Sequence, residues 1–348
     1  MTTQDALTDV PGLRVGHAQR TGDQREGWLT GTTVVLAPED GAVAGVDSRG
    51  GAPGTRETDE LDPRNVVERI HAVVLTGGSA FGLDSAGGVV SWLEEQGRGV
   101  PVGPDPAQVV PVVPAAVLFD LGRGGRWRAR PDAALGREAV EAAAATEPGA
   151  PVAQGNVGAG TGAVVGGLKG GTGTASTVLP SGITVGAVTA VNAAGSAFDP
   201  ATGVLYGRLW DELPPVPDES THAAALRRLT EVREETGRRT AGVLSPPLNT
   251  TLAVVATDAV LTRAQAQKMA GTAHDGLARA VRPVHLMHDG DTVFSLSAGE
   301  RPLADGELND VLAAAADVLT RAVVKAVLAA EGVDGPGGVF PSYRDLYG

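Results

Sequence analysis

The chain contains no cysteine. Disulfides, thiolate-ligated zinc and a cysteine nucleophile are therefore excluded from its chemistry. Aromatic residues are scarce, at 3% against a hydrophobic content of 42%, so a core must be assembled from Val, Leu, Ile and Ala. No uninterrupted run of about 18 apolar residues occurs, which argues against a membrane span. The stretch from Met1 to His17 lacks the basic start and apolar run of a signal peptide, so a cytoplasmic protein is expected. Basic residues are outnumbered, 28 against 41, which leaves a net charge of −13. Such a surface repels nucleic acid and anionic membranes, and neither is expected as a partner. The common cofactor and nucleophile signatures are missing as well. There is no P-loop, HExxH or GxSxG pattern, and no acidic residue stands at the right distance behind a Gly-rich segment for a dinucleotide site. His285 and His288 form the one close histidine pair and read as structural. Neither a metal nor a cofactor is expected.

Glycine, by contrast, is abundant, with 49 residues, too many for a mostly helical protein. It suits tight turns and places where backbone approaches backbone closely. Thr32 to Ala37 and Ala42 to Asp47 read as strands joined by the polar turn Pro38-Glu39-Asp40-Gly41. His71 to Thr76 reads as a buried strand that enters a Gly-rich turn and a helix over Leu83 to Gln96. Val109 to Phe119 reads as a further strand, and Pro131 to Ala145 as a helix started by Asp132. Thr174 to Leu179 and Thr184 to Asn192 predict a strand pair. Phe198 to Pro247 reads as a surface excursion with a charged helix around Thr221 to Glu235. After it come a strand from Thr250 to Thr257, a helix over Thr262 to Val281, paired strands at Val284 to Met287 and Thr292 to Ser297, and a long helix over Leu308 to Ala330. Strands and helices mix without regular alternation, which favours a layered α/β fold rich in antiparallel sheet in a single domain.

The junction Pro246-Pro247-Leu248-Asn249-Thr250-Thr251 admits two readings. In one, Thr simply opens a strand, as its β-branched side chain suits it to do. In the other, the Thr250 hydroxyl attacks the neighbouring carbonyl, the amide becomes an ester, and water cleaves it. The freed Thr250 would then carry an α-amine titrating near 8, able to act as base for its own hydroxyl. This chemistry needs neither His, Cys nor metal.

Several segments, in order, carry a family resemblance: His71 to Asp84 (HAVVLTGGSAFGLD), the run GGLKGGTGTAS with Lys169, Val185 to Ser196 (VGAVTAVNAAGS), the Asn249-Thr250-Thr251 junction, and Asp289-Gly290-Asp291. From Val10 to Ala330 the chain resembles the autoprocessing aminopeptidases: the L-aminopeptidase/D-amidase-esterases (DmpA), the β-aminopeptidases (BapA) and the 6-aminohexanoate-oligomer hydrolases (NylC). The resemblance implies an α-β-β-α sandwich like that of DmpA and the ornithine acetyltransferases, with mixed sheets covered by helices. It implies self-cleavage into 1–249 and 250–348, assembled as a homo-oligomer, often a tetramer.

It further implies that Thr250 is the nucleophile, that the Asn192 amide donates to an oxyanion, and that Lys169 is a buried or cleft lysine near Thr250. Asp289 and Asp291 would hold the Thr250 amine, Lys169 and the substrate amine. Each residue also has a plainer reading, Asn192 as a strand-end turn former, Lys169 as a solvated side chain, and Asp289-Gly290-Asp291 as a hairpin turn. The Asn-Thr junction and the two aspartates follow the nylon-oligomer branch, whereas DmpA-type enzymes use Ser after Gly. The resemblance also implies that Phe119 lines the substrate pocket at the position where relatives carry a Tyr, which would remove one hydrogen-bond donor. The expected activity is removal of an N-terminal residue from short peptides or amino-acid amides. Alternatives are hydrolysis of ω-amino-acid oligoamides, acyl transfer of the ornithine acetyltransferase kind, and an unprocessed binding protein.

Overall fold

The apolar runs of the sequence become the inner strands of two five-stranded sheets in a computed structural model that describes residues 3–22, 27–208, 214–240 and 249–348. The first sheet uses β1 (Arg14–Thr21), β2 (Leu29–Leu36), β4 (Thr55–Arg56), β5 (Ala72–Thr76) and β6 (Ala115–Val117), in the order β1-β2-β5-β6-β4. The second uses β3 (Val43–Ser48), β7 (Gly171–Val178), β8 (Thr184–Val191), β9 (Leu252–Ala259) and β10 (Thr292–Arg301), in the order β7-β8-β9-β10-β3. Every residue of β2, β8 and β9 is buried, because these strands are covered on both faces.

Three apolar layers define the architecture. Val35, Val73 and Leu75 of the first sheet meet Val188, Val254 and Phe294 of the second. Outside the first sheet, Val34 and Val74 pack on Val89 and Leu93 of α1 (Ser85–Glu95) and on Leu135 and Ala139 of α2 (Ala133–Ala144). Outside the second, Val255 and Val293 pack on Met269 and Leu277 of α4 (Arg263–Ala280) and on Leu319 and Val323 of α5 (Glu307–Ala329). The charged helix α3 (Glu219–Arg239) lies to one side, capped by the Asp218 side chain. The result is the expected α-β-β-α sandwich. The Pro246-Pro247 lead-in falls outside the described residues.

The strands on either side of Pro38 to Gly41 form as expected, with the turn closed by the Gly41 N–H on the Pro38 carbonyl, and they enter different sheets, β2 the first and β3 the second. Two expectations need correction. Val109 to Phe119 is not one strand. Pro111 and Pro114 lack the N–H that a ladder needs and confine pairing to Val109–Val110 and Ala115–Val117. Finally, no strand forms at 284–287, so Asp289-Gly290-Asp291 is not a hairpin turn. His285 adopts φ 59°, and β10 instead runs parallel to β9 and antiparallel to β3.

That parallel pairing assembles the site. Parallel strands begin at the same sheet edge, so the segments entering β9 and β10 lie side by side, with Asn249 bridged to Asp289. The antiparallel neighbour β8 ends at that edge, which brings in Asn192. Among the described residues no helix is long and apolar enough to cross a membrane.

Buried histidines set an acid limit on this fold. Burial lowers the pKa of His274 to about 4 from 6.5, and that of His17, whose inner ring nitrogen is sealed from solvent, also to about 4. Between these values the unfolded chain binds protons that the folded chain refuses. Each histidine should therefore remove about 1.4 kcal/mol of stability per pH unit as the pH falls below 6.5. Asp120 and Asp289, whose pKa values burial raises, work in the opposite sense and soften the loss at the acid end. Urea unfolding at pH 7, 6 and 5 checks this, and a midpoint that does not move would refute it.

Candidate active site

Thr250 precedes β9 and is buried together with Asn249. Its hydroxyl donates to the Asn249 carbonyl oxygen at 2.5 Å. The Gly290 N–H faces both groups, 3.1 Å from Thr250 Oγ1 and 3.2 Å from the Asn249 oxygen. The Thr250 N–H donates to the Asn192 carbonyl at 2.6 Å. A hydroxyl, the carbonyl beside it and a backbone donor that faces both thus share one point, an arrangement that suits stabilisation of an oxyanion.

Gly290 is held to a hydrogen at its Cα. A Cβ there would stand 2.7 Å from the Ala52 carbonyl oxygen and 2.7 Å from Thr250 Oγ1. The Ala52 backbone is anchored by its own bond to the Asp289 carbonyl, so the hydroxyl would be the group displaced. Gly290→Ala is expected to slow any reaction of the Thr250 hydroxyl by up to about a hundredfold. A cleavage time course checks this, and an unchanged rate would mean that the contact is not limiting.

Asp291 is fully buried and braces the start of β9. Oδ1 accepts from the Thr251 N–H at 2.7 Å, and Oδ2 pairs with the His285 N–H at 3.1 Å and with His285 Nδ1 at 2.8 Å. Asp289 Oδ2 accepts from the Leu286 N–H at 3.0 Å. Its Oδ1 meets no donor at hydrogen-bond distance, although the Ala194 amide is near enough to favour the charged form. Burial and then the Asp291 charge raise the Asp289 pKa. A carboxyl held this way is suited to exchanging a proton or taking an ammonium partner.

Lys169 is buried completely, which rules out the solvated reading. Its ammonium donates to the Gly160 and Gly170 carbonyls at 2.9 and 2.8 Å, and no hydrogen bond joins it to Thr250. Burial, followed by the nearby Arg123 charge, lowers its pKa to about 7, with Asp120 acting against both. A lysine lowered this far sits much nearer neutrality than a solvated one, so its charge is sensitive to its surroundings.

The Asn192 side chain is already engaged. Its amide donates to the Phe119 carbonyl at 3.3 Å, and its oxygen accepts from the Val164 N–H at 3.0 Å and from the Arg123 guanidinium. Its backbone carbonyl, not its side chain, touches Thr250. Phe119 reaches the site through that backbone oxygen, while its ring packs edge-on against Trp127 at 6.3 Å.

Sequence reasoning missed Asp120, Arg123, His285 and the Gly290 amide. Asp120 is buried and accepts from Thr30 Oγ1 at 2.6 Å and from the Gly78 N–H at 2.7 Å. An acid ending an apolar run, Leu118-Phe119-Asp120, was the available signal for it. For Arg123 the signal was a lone cation inside Gly122-Arg123-Gly124-Gly125, a segment constrained by backbone packing.

The model of the family described as "Peptidase family S58" matches residues 5–340. An uncharacterized aminopeptidase of Mycobacterium tuberculosis is 46% identical over 363 residues, covering 99% of this chain and 98% of the relative. A 6-aminohexanoate-oligomer endohydrolase of Kocuria sp. is 31% identical over 301 residues, covering 84% of this chain and 74% of the relative. Among solved structures, the L-aminopeptidase D-Ala-esterase/amidase of Ochrobactrum anthropi, described as a variant of the Ntn hydrolase fold, superposes with a TM-score of 0.71 at 22% identity. That match covers 99% of this chain and 93% of the other and shows a shared fold.

Proposed function

The chain belongs to peptidase family S58 and is a hydrolase of peptide bonds, and from that premise we propose that it cuts itself between Asn249 and Thr250 and then works as an N-terminal-threonine aminopeptidase. The observation that carries the reading is the Thr250 hydroxyl lying 2.5 Å from the Asn249 carbonyl oxygen, with the Gly290 N–H on both. In the first event Thr250 Oγ1 bonds to the Asn249 carbonyl carbon and the C–N bond breaks. The leaving nitrogen takes a proton to become the α-amine. Water hydrolyses the ester, which gives an Asn249 carboxylate and a free Thr250.

In later turnovers the Thr250 amine takes the hydroxyl proton, Oγ1 bonds to the carbonyl carbon of the substrate's N-terminal residue, the scissile C–N bond breaks with that proton passing to the departing amine, and water hydrolyses the ester. The Gly290 N–H stands ready for the oxyanion. Lys169, whose pKa burial lowers to about 7, and Asp289, with one oxygen that meets no donor at hydrogen-bond distance, are the groups available to balance charge and hold a substrate ammonium. The two pieces would stay together because β9 is central in its sheet, paired to β8 on one side and β10 on the other.

A second reading, hydrolysis of ω-amino-acid oligoamides, is favoured by the 31% identity to the 6-aminohexanoate-oligomer endohydrolase. The 46% identity to an aminopeptidase over nearly the whole chain favours the first. Comparative kinetics separates them. Amino-acid amides and dipeptides should turn over faster than 6-aminohexanoate oligomers, and the reverse order would establish the second reading.

A further inference from the structure

Arg123 is placed beside the junction and, apart from lowering the pKa of Lys169, has no part in the chemistry described so far. Its segment is pinned: Arg123 N–H donates to the Asp120 carbonyl at 3.1 Å and Gly125 N–H to the Gly122 carbonyl at 2.8 Å. Gly122 and Gly125 take φ of 77° and 108°, which a side chain would strain. The guanidinium then makes three contacts. One nitrogen donates to the Gly162 carbonyl at 2.7 Å and to the Asn192 side-chain oxygen, and the other donates to Asn249 Oδ1 at 3.1 Å. Arg123 therefore spans the two residues that hold Thr250 in place: Asn192, whose carbonyl takes the Thr250 N–H, and Asn249, whose carbonyl is to be attacked.

We propose that Arg123 is a positioning residue for self-cleavage that acts through the Asn249 side chain, so that the residue before the cut is selected for an acceptor oxygen at the length of asparagine. This rests on the self-cleavage reading above. A carbonyl next to a freely rotating side chain samples orientations in which the hydroxyl misses it. Fixing Asn249 at Oδ1 as well as through its N–H on the His288 carbonyl removes that freedom before the reaction starts. The planar guanidinium serves both asparagines at once, which a lysine ammonium cannot do in the same geometry. A glutamine in place of Asn249 would carry its oxygen one carbon too far, and an alanine would offer none.

The test is a double-mutant cycle on the cleavage rate of freshly translated full-length chain, followed by denaturing gel. Arg123→Gln and Asn249→Ala should each slow cleavage roughly ten- to hundredfold, the scale of one lost charge-assisted hydrogen bond. Arg123→Gln combined with Asn249→Ala should be no slower than the slower single variant, because both remove the same contact. Asn249→Gln should resemble Asn249→Ala. Effects of the two single changes that multiply in the double variant would show that Arg123 works through the fold and not through Asn249, and would overturn the proposal. So would Arg123→Gln cleaving at the wild-type rate. A wild type that stays in one piece would overturn the self-cleavage reading itself, and this proposal with it.

Discussion

Thr250→Ala is expected to leave a single full-length chain and to abolish amide hydrolysis, a loss on the order of a thousandfold or more in both reactions. In the proposed reaction the Thr250 hydroxyl is the atom that bonds to carbon, and the alanine variant removes it. The fold should barely register the change. Deleting the hydroxyl removes the donor to the Asn249 carbonyl and one acceptor of the Gly290 N–H, but that N–H keeps the Asn249 oxygen at 3.2 Å. The stability cost should therefore stay near about 1 kcal/mol. Thr250→Ser keeps the hydroxyl and should still cleave. N-terminal sequencing of the small wild-type fragment should read Thr-Thr-Leu-Ala, and an intact wild type with amide-hydrolysing activity would sink the mechanism.

Asp291→Ala should be damaging in a different way. It leaves the buried Thr251 N–H without its acceptor and frees both the His285 N–H and its ring nitrogen. Loss of a buried, fully hydrogen-bonded carboxylate of this kind costs about 3–5 kcal/mol. Thr251 is the residue between the nucleophile and β9, so its release also loosens the hydroxyl, and uncleaved chain should accumulate. The neighbouring Asp289 should become more acidic, since the Asp291 charge is one of the two causes holding its pKa up. Asp291→Asn retains one acceptor oxygen and should lie between the wild type and the alanine variant. Urea unfolding and the cleavage time course measure the two effects separately. A stability loss below about 1 kcal/mol would show that the brace is not structural.

These two residues mark how far the sequence could be read. Thr250 was legible from its junction and from the ordered motifs around it. Asp291 was legible as a motif residue, yet its partners were not, because Thr251 reaches it through the parallel pairing of β9 and β10, and His285 through the local turn made at its φ of 59°. Lys169 was expected as a buried or cleft lysine and is found fully buried, and burial is the main cause that lowers its pKa to about 7. Asn192 was assigned through its side chain, whereas its backbone carbonyl makes the contact with Thr250. The strand pair expected at 284–287 failed for a local reason. The Asp289 carboxylate takes the Leu286 N–H, and the backbone turns at His285 instead of extending.

By itself the sequence determined the material of the protein: aliphatic strands, capped helices, an excess of acidic residues and no thiol chemistry. Those properties follow from residue type and near neighbours. The tertiary structure alone decided which distant segments share an edge. Parallel β9 and β10, with antiparallel β8, carry Asn192, Asn249, Thr250 and Asp289 to one end of a buried sheet. The Asp120 to Gly125 turn brings Arg123 and Asp120 to the same place. Long-range pairing and burial set the hydrogen bonds and charge states there, and neither is encoded in any short stretch of the chain.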